Sequence, residues 1–429
     1  MPKEFARLTP NQPNLAAAWS AVYSLLFASA LLLVGVGLFF SALGLRAGLS
    51  AFSTITTGLV MSAYFAGFVL GTYVCPLLVR RVGHIRSFSL LASVASTTAI
   101  VHAMWTDPWL WAALRLVTGI CLVGLYMVLE SWLNVIAPNA ARGRIFAAYM
   151  AVTLVAMGLG QFLVAVGNVM DFVQLGLVSI MLSLALVPVA FTRTPEPRPV
   201  TAPKVSLKRL YAISPLGVAA ALASGLLNGA LYGMGAVFGQ RIGLSEGGVA
   251  IFMGAVIFGG ALLQWPVGHF SDLHDRRRVL AFICVGAAAL AVIAYSLLSF
   301  STAVLFACAF LYGGLVFTVY GLSVALVNDR LAQEEVLEAA STLLLMHGFG
   351  AMLGPTAAGV LMNAFGPGSL LIYFTLVLLA TALFGLRQLR IEARAPGQQQ
   401  GYVTMATSTP VVLEMDPRTS EPPEARASS

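Results

Sequence analysis

The chain has 429 residues, 59% of them hydrophobic and 10% charged, with a mean hydropathy of +0.88. That balance lies well outside an average soluble domain and marks an integral membrane protein. The formal net charge of +7 suggests a nucleic-acid partner only until the charges are placed along the chain.

Apolar runs of about twenty residues recur about twelve times, each long enough to cross roughly 30 Å of hydrocarbon at 1.5 Å per residue. Runs so long and continuous satisfy their backbone only as helices, and the short alternating segments of a barrel are absent, so the predicted class is an all-α membrane protein. Residues 1–16 form an N-terminal stretch before the first span, 17–43. That span is too long for a signal-peptide core and lacks a small-residue cleavage site after it, so it is expected to stay. The second span, 57–79, runs into Arg80, Arg81, Gly83, His84 and Arg86, a tight inner turn. The third reaches 105. Thr106-Asp107-Pro108 opens the fourth, with proline where its missing N–H costs nothing, and the fourth ends near 136. Arg142 and Arg144 mark the next inner loop, followed by spans at 146–166 and 172–191.

Residues 192–212 carry Pro195, Pro197, Pro199 and Pro203 among several cations and read as a cytoplasmic linker between two bundles, 17–191 and 213–390. The second bundle repeats the plan, with spans at 215–240, to 270, to 299, to 328, at 335–362 and at 369–389. The remainder, 391–429, is rich in Gln, Ser, Thr, Pro and Glu and is expected to be a disordered cytoplasmic tail. With the N-terminus inside, only Arg46, Arg241 and the embedded Arg115 of the 24 Lys and Arg fall off the inner side, the positive-inside asymmetry that explains the net charge.

At an offset of 194 residues Gly119 falls on Gly313, Tyr126 on Tyr320, Asn134 on Asn328 and Gly160 on Gly354, the mark of two divergent copies. Cys75, Cys121, Cys284 and Cys308 lie inside apolar runs without partners at metal spacing and read as small core residues. No Walker-type loop or enzyme constellation is visible, so no cofactor, metal or catalytic residue is assigned.

Gly268-x-x-x-Asp272, followed by Asp275, Arg276, Arg277 and Arg278, resembles the loop signature of the major facilitator superfamily, with Leu273 and Asp275 departing from it. Arg115-Leu-Val-Thr-Gly119 resembles that family's Arg-x-x-x-Gly motif. The strings Tyr126-Met-Val-Leu-Glu130-Ser-Trp132-Leu-Asn134, Arg142-Gly-Arg144, Gly160-Gln161, Gln264-Trp-Pro and Leu413-Glu-Met-Asp-Pro417-Arg418 resemble the YcaD-like branch over nearly the whole chain. The resemblance implies twelve helices in two six-helix pseudo-repeats and a bacterial inner-membrane permease with both termini cytoplasmic. The expected activity is secondary transport of a small solute by alternating access, proton-coupled, monomeric and with export favoured. Uptake is the alternative, and a sensor or scaffold on a transporter fold is the alternative of another class.

Arg115, Gly119, Tyr126 and Glu130 are spaced by four, seven and four residues, one stripe of the fourth helix, and a polar stripe in a membrane helix is expected to face a cavity. Arg115 is a candidate for the substrate or proton pathway; the competing reading is that, about 9 Å from the helix start, it snorkels outward toward Asp107. Glu130, about 22 Å further in, reads as a structural partner of Arg80, Arg81 and Arg86 rather than as a proton carrier. Asn228, Gln161, Gln264 and His347 are polar groups inside apolar runs. Each has a bland reading as an interhelical hydrogen bond, with a cavity role preferred for Asn228 and packing for His347. Gly350-Ala-Met-Leu-Gly354-Pro resembles the superfamily's antiporter motif in the wrong half, while Gly158-Leu-Gly160-Gln161 lacks its proline.

In the first half the loop signature has Pro76 and Arg80 in place of glycine and aspartate. Helix starts attract the opposite charge in such folds. A charge-swapped inner gate is therefore expected, with Arg80 or Arg81 near Glu334, Glu335 and Glu338, and Asp272 near Arg142 or Arg144. The competing reading is a set of solvated boundary charges.

Overall fold

The computed structural model describes residues 15–137, 141–191, 206–298, 300–331 and 335–391, together with 402, 405 and 407–409. Among these, every regular element is a helix, and twelve are long and apolar enough to cross a membrane. The first half holds α1 (Leu15–Leu49), α2 (Thr54–Val82), α3 (His84–Met104), α4 (Pro108–Ile136), α5 (Arg142–Phe162) and a sixth span in two pieces, α6 (Val173–Leu184) and α7 (Leu186–Phe191). A short helix, α8 (Leu207–Ile213), lies at the end of the expected linker. The second half holds α9 (Pro215–Arg241), α10 (Glu246–Asp272), α11 (Arg276–Ser296), α12 (Thr302–Asn328), α13 (Val336–Phe365) and α14 (Ser369–Ile391). With an even number of crossings, the two outermost spans begin and end on one face of the bundle, the terminal face; the opposite face is called distal.

Helix starts are fixed by local chemistry. The side chains of Ser53, Asp107, Ser214, Ser245, Asp275 and Ser301 each accept a backbone N–H from the first turn of the helix they precede, and Pro108 and Pro215 occupy the first helical positions. Gly83, with φ of 84°, makes the one-residue turn between α2 and α3, a left-handed geometry that favours glycine.

The repeat seen in the sequence is a repeat of helix crossings. A Cβ on Gly119 would stand 2.0 Å from the Tyr64 carbonyl oxygen, and one on Gly313 would stand 1.9 Å from that of Val256. So α4 meets α2, and α12 meets α10, at backbone contact. Gly160 meets the Val34 carbonyl and Gly354 the Leu226 carbonyl at similar range, which locks α5 on α1 and α13 on α9. Small residues at such crossings replace hydrophobic drive with close packing where the surroundings are lipid.

Between the halves, hydrogen bonds lie toward the distal face. Thr54 Oγ1 donates to the Gly359 carbonyl at 2.8 Å, the Ser62 and Thr356 hydroxyls meet at 2.8 Å, and Arg241 Nη2 donates to the Phe52 carbonyl at 3.1 Å. Arg46 also works at this face, tying the carbonyls of Ala103 and Asp171 at 3.0 Å each.

Candidate functional site

A cavity of about 180 Å³ lies between the halves, in the part of the bundle nearer the terminal face. Its wall is an arc of rings in tilted, edge-on or stacked contact. Tyr126 meets Phe68 at 6.2 Å between centroids, Phe68 meets Tyr64 at 6.1 Å, Tyr64 meets Phe40 at 4.9 Å, Phe40 meets Tyr232 at 5.8 Å and Tyr232 meets Phe317 at 6.1 Å. The arc passes from α4, α2 and α1 into α9 and α12, so it spans both halves. Among the described residues no Asp, Glu, Lys or Arg lines the cavity.

Its polar groups come from both halves, with Tyr64, Thr72, Tyr126, Tyr149 and Thr153 on the first. Asn228, Gln264, Tyr320 and His347 line it. Asn228 Oδ1 and the Tyr320 hydroxyl are buried without a hydrogen-bond partner. His347 Nδ1 shares a 2.9 Å hydrogen bond with Ser224, and its ring stands edge-on to Tyr320 at 5.1 Å.

Of the residues expected along the pathway, Tyr126, Asn228 and His347 line this cavity, while Arg115 and Gln161 do not. Arg115 is fully buried and lies one layer back, its guanidinium carbon 4.4 Å from the Tyr64 centroid, 4.7 Å from Phe40 and 5.4 Å from Phe39. It neither snorkels nor pairs with Asp107, whose carboxylate accepts the Leu110 N–H at 2.8 Å to cap α4. The ring faces supply the negative potential that a counter-ion would otherwise provide, and Nε and Nη2 meet no acceptor. Gln161 turns toward α1, accepts from Ser41 and donates to the Gly37 carbonyl at 3.0 Å. It is an interhelical clasp, as its bland reading had it.

The charges at the terminal face pair differently from the expectation. Asp272 meets Arg276 at 2.7 Å, and Arg276 also meets Asp329 at 2.8 Å, all within the second half. Arg277 pairs with Asp275 at 2.9 Å. Burial works against the Asp275 carboxylate, but hydrogen bonds and charge from Arg277, with Arg278 nearby, hold its pKa below the usual range. Arg142 donates to the Asn134 carbonyl, and Arg144 is exposed. Arg80, Arg81 and Arg86 are exposed and pair with none of the described carboxylates. Glu335 pairs with Arg209, Glu338 is exposed, and Glu334 lies outside the described residues. Among the described residues neither swapped contact is formed, and hydrogen bonds between the halves lie toward the distal face.

Glu130 is fully buried, and its partners among the described residues include three hydroxyls and none of the expected arginines. Tyr149 donates to it at 2.8 Å, and so do Ser408 and Thr409. These last two belong to the segment expected to be a disordered tail. Tyr402, Met405, Ser408 and Thr409 pack into the bundle, Thr407 is exposed, and Met405, Thr407 and Ser408 line the cavity. Sequence reasoning missed them because a composition rich in Gln, Ser, Thr, Pro and Glu reads as solvated chain. It missed Phe40, Tyr64 and Tyr232 because an aromatic ring in an apolar helix looks the same whether it faces lipid, core or cavity.

The family model of the Major Facilitator Superfamily matches residues 25–336 and again 213–413. The uncharacterized MFS-type transporter YcaD of Escherichia fergusonii is 29% identical over 344 residues, covering 79% of this chain and 87% of that one. Its counterpart in Escherichia coli strain K12 / DH10B is 28% identical over 340 residues, covering 78% and 87%. Among solved structures, the nucleoside transporter NupG matches with a TM-score of 0.72 at 12% identity, over 87% of this chain and 100% of that one. A bacterial homolog of the human lysosomal transporter Spinster, inward-facing and occupied, matches with a TM-score of 0.66 at 16% identity, over 89% and 96%. The fold, the duplicated halves and the family match agree: the chain belongs to the Major Facilitator Superfamily of membrane transporters.

Proposed function

We propose that the chain is a secondary active transporter that moves a small, uncharged, planar organic solute by alternating access, coupled to protons, with export the favoured direction. One observation carries the reading of the cargo: an arc of aromatic faces spans both halves, and within it Asn228 Oδ1 and the Tyr320 hydroxyl are buried without partners. Aromatic faces hold flat rings by stacking. An orphaned acceptor favours a solute that brings an N–H or O–H donor, since leaving it unmatched costs about 1–3 kcal/mol. A charged solute would meet no counter-charge in the lining and pay its desolvation in full.

The halves 17–191 and 213–390 act as the two moving bodies, with the site at their junction. Arg80, Arg81, Arg86, Arg142, Arg144 and the Arg276–Arg278 run gather at the terminal face, which supports its assignment to the cytoplasm of a cell inner membrane. The chain works as a monomer embedded in lipid. His347 is the titratable group in the cavity wall and Arg115 the fixed charge behind it, so a proton would be handled at His347 within a positive background. Uptake is the second reading, favoured by the absence of the antiporter-type proline from residues 158–161.

A thermal-shift screen of purified protein against uncharged heteroaromatic solutes at two pH values, followed by flux in proteoliposomes with and without a pH gradient, tests this. A solute that stabilises the protein, loses that effect in Asn228→Ala and moves faster with the gradient supports the proposal. A stabilising solute that crosses in neither direction overturns transport in favour of a sensor.

A further inference from the structure

The described residues of the C-terminal segment are held at the transport cavity by groups from both halves. Tyr402 donates its backbone N–H to both carboxylate oxygens of Asp272, at 2.8 and 3.0 Å, and its hydroxyl accepts from Gln264 at 3.3 Å. Its ring occupies a slot that only glycine leaves open. A Cβ on Gly268 would stand 2.1 Å from Tyr402 Cδ1, and a Cβ on Gly321 would stand 2.4 Å from its hydroxyl oxygen. These groups belong to α10 and α12. A few residues further on, Ser408 and Thr409 donate to the two oxygens of Glu130 on α4, beside Tyr149 on α5. Between these anchors Met405, Thr407 and Ser408 line the cavity itself, and Thr409 is fully buried.

We infer that this segment is a tethered occupant of the cavity that holds the terminal face open and excludes solute until it leaves. The inference rests on the reading of the cavity as the solute path and adds its regulation. The physical case has three parts. First, a bridge anchored on Asp272 in one half and Glu130 in the other opposes any approach of the two halves at that face. Second, the volume filled by Met405, Thr407 and Ser408 is unavailable both to a solute and to the closing helices. Third, Asp272, the acid of the loop signature, is already engaged by Arg276 and the Tyr402 N–H, so a gate contact to the other half competes with the tail for the same carboxylate. Since the segment is part of the chain, its local concentration is fixed by the tether and does not dilute.

The test uses the full-length protein in membranes and reads access to the cavity. A single cysteine placed by Thr153→Cys in the cavity wall is titrated with N-ethylmaleimide, with the buried native cysteines as background. The comparison is with the same protein carrying Tyr402→Ala, Ser408→Ala and Thr409→Ala. The inference expects labelling about fivefold faster or more once the tail contacts are removed, because occupied and vacant states are then redistributed. Rates within about twofold of each other overturn it. A second readout is oxidation of the pair Gly268→Cys and Tyr402→Cys by copper phenanthroline. The Cβ on residue 268 would lie 2.7 Å from Tyr402 Cγ, which places the two Cβ atoms within reach of a disulfide. This pair keeps the residue 402 N–H on Asp272 and the Ser408 and Thr409 bonds to Glu130, so a cross-link found by mass spectrometry in the folded protein supports docking, and its absence overturns it. Neither readout involves solute flux. Failure of transport in proteoliposomes with labelling still tail-dependent would overturn the proposed function and leave the tail device standing.

Discussion

The guanidinium of Arg115 lies over the ring of Tyr64, 4.4 Å from its centroid, so a permanent charge in the membrane-spanning core faces the solute cavity only through an aromatic wall. A residue kept for stability would be expected to have a counter-ion. This one leaves Nε and Nη2 without acceptors, and replacing a poorly compensated buried charge by an apolar side chain of similar volume is often neutral or favourable.

Arg115→Met is therefore expected to melt within about 1 kcal/mol of the parent, or above it. The same substitution should slow flux of whatever solute the screen identifies. A fall in melting temperature larger than that, measured on detergent-solubilised protein, would instead make the three-ring cage a net stabiliser.

Gly119→Ala and Gly313→Ala should each destabilise by about 2 kcal/mol or more, because the new methyl group meets a backbone carbonyl that cannot step aside. Gly247→Ala, at a position with nothing within 4 Å, should be neutral or gain up to about 1 kcal/mol from helix propensity. Fluorescence-detected size exclusion after a heat step ranks the three, and equal behaviour would contradict the crossings.

Gln161→Ala removes a clasp between α1 and α5, leaving the Ser41 hydroxyl and the Gly37 carbonyl short of a partner. A loss of about 2–4 kcal/mol is expected from the void and the unmatched groups together. Asn228→Ala should cost under about 1 kcal/mol, since its Oδ1 has no partner to lose, while abolishing solute-dependent stabilisation. If both variants lose solute binding with stability intact, Gln161 belongs to the site after all.

Asp329→Ala is expected to destabilise by about 1–2 kcal/mol, since it leaves the 1%-exposed Arg276 side chain with one fewer carboxylate while Asp329 itself is 13% exposed. Arg144→Ala, on an exposed residue, should stay within about 0.5 kcal/mol. Chemical denaturation in mixed micelles separates these values. A larger effect at Arg144 would revive the inner gate as a contact of this conformation.

How far the sequence could be read follows from how local each signal is. Span length, the terminal-face cations and the pairing of Gly119 with Gly313 are carried by single residues or short windows, and each reappears as a helix, a charged face or a crossing. The positions Tyr126 and Asn228 were legible because a polar atom inside an apolar helix must meet something polar, whereas His347, read as packing, lines the cavity as well. Gln161 satisfied that same rule against the α1 backbone instead. The choice between helix and cavity depends on a neighbour more than a hundred residues away, which helical spacing does not encode. Arg80 and Asp272 have no partner across the halves among the described carboxylates and arginines, Asp272 meeting Arg276 on the next helix instead, a choice of neighbour that spacing along the chain does not encode.

Three of the hydrogen bonds that join the halves near the distal face, Thr54 to Gly359, Ser62 to Thr356 and Arg241 to Phe52, set a scale for the bias between conformers. Each half is interlocked at backbone level, so sliding helices past one another is stiff, and the proposed alternating access would rock the halves as wholes. At about 1 kcal/mol apiece the three bonds weigh about 3 kcal/mol, a ratio on the order of a hundred between the two access states. That is small enough for one bound solute to invert and large enough to keep an empty carrier from leaking. Removing the Thr54 and Ser62 hydroxyls together should shift the resting population by roughly thirtyfold toward the form open at the distal face.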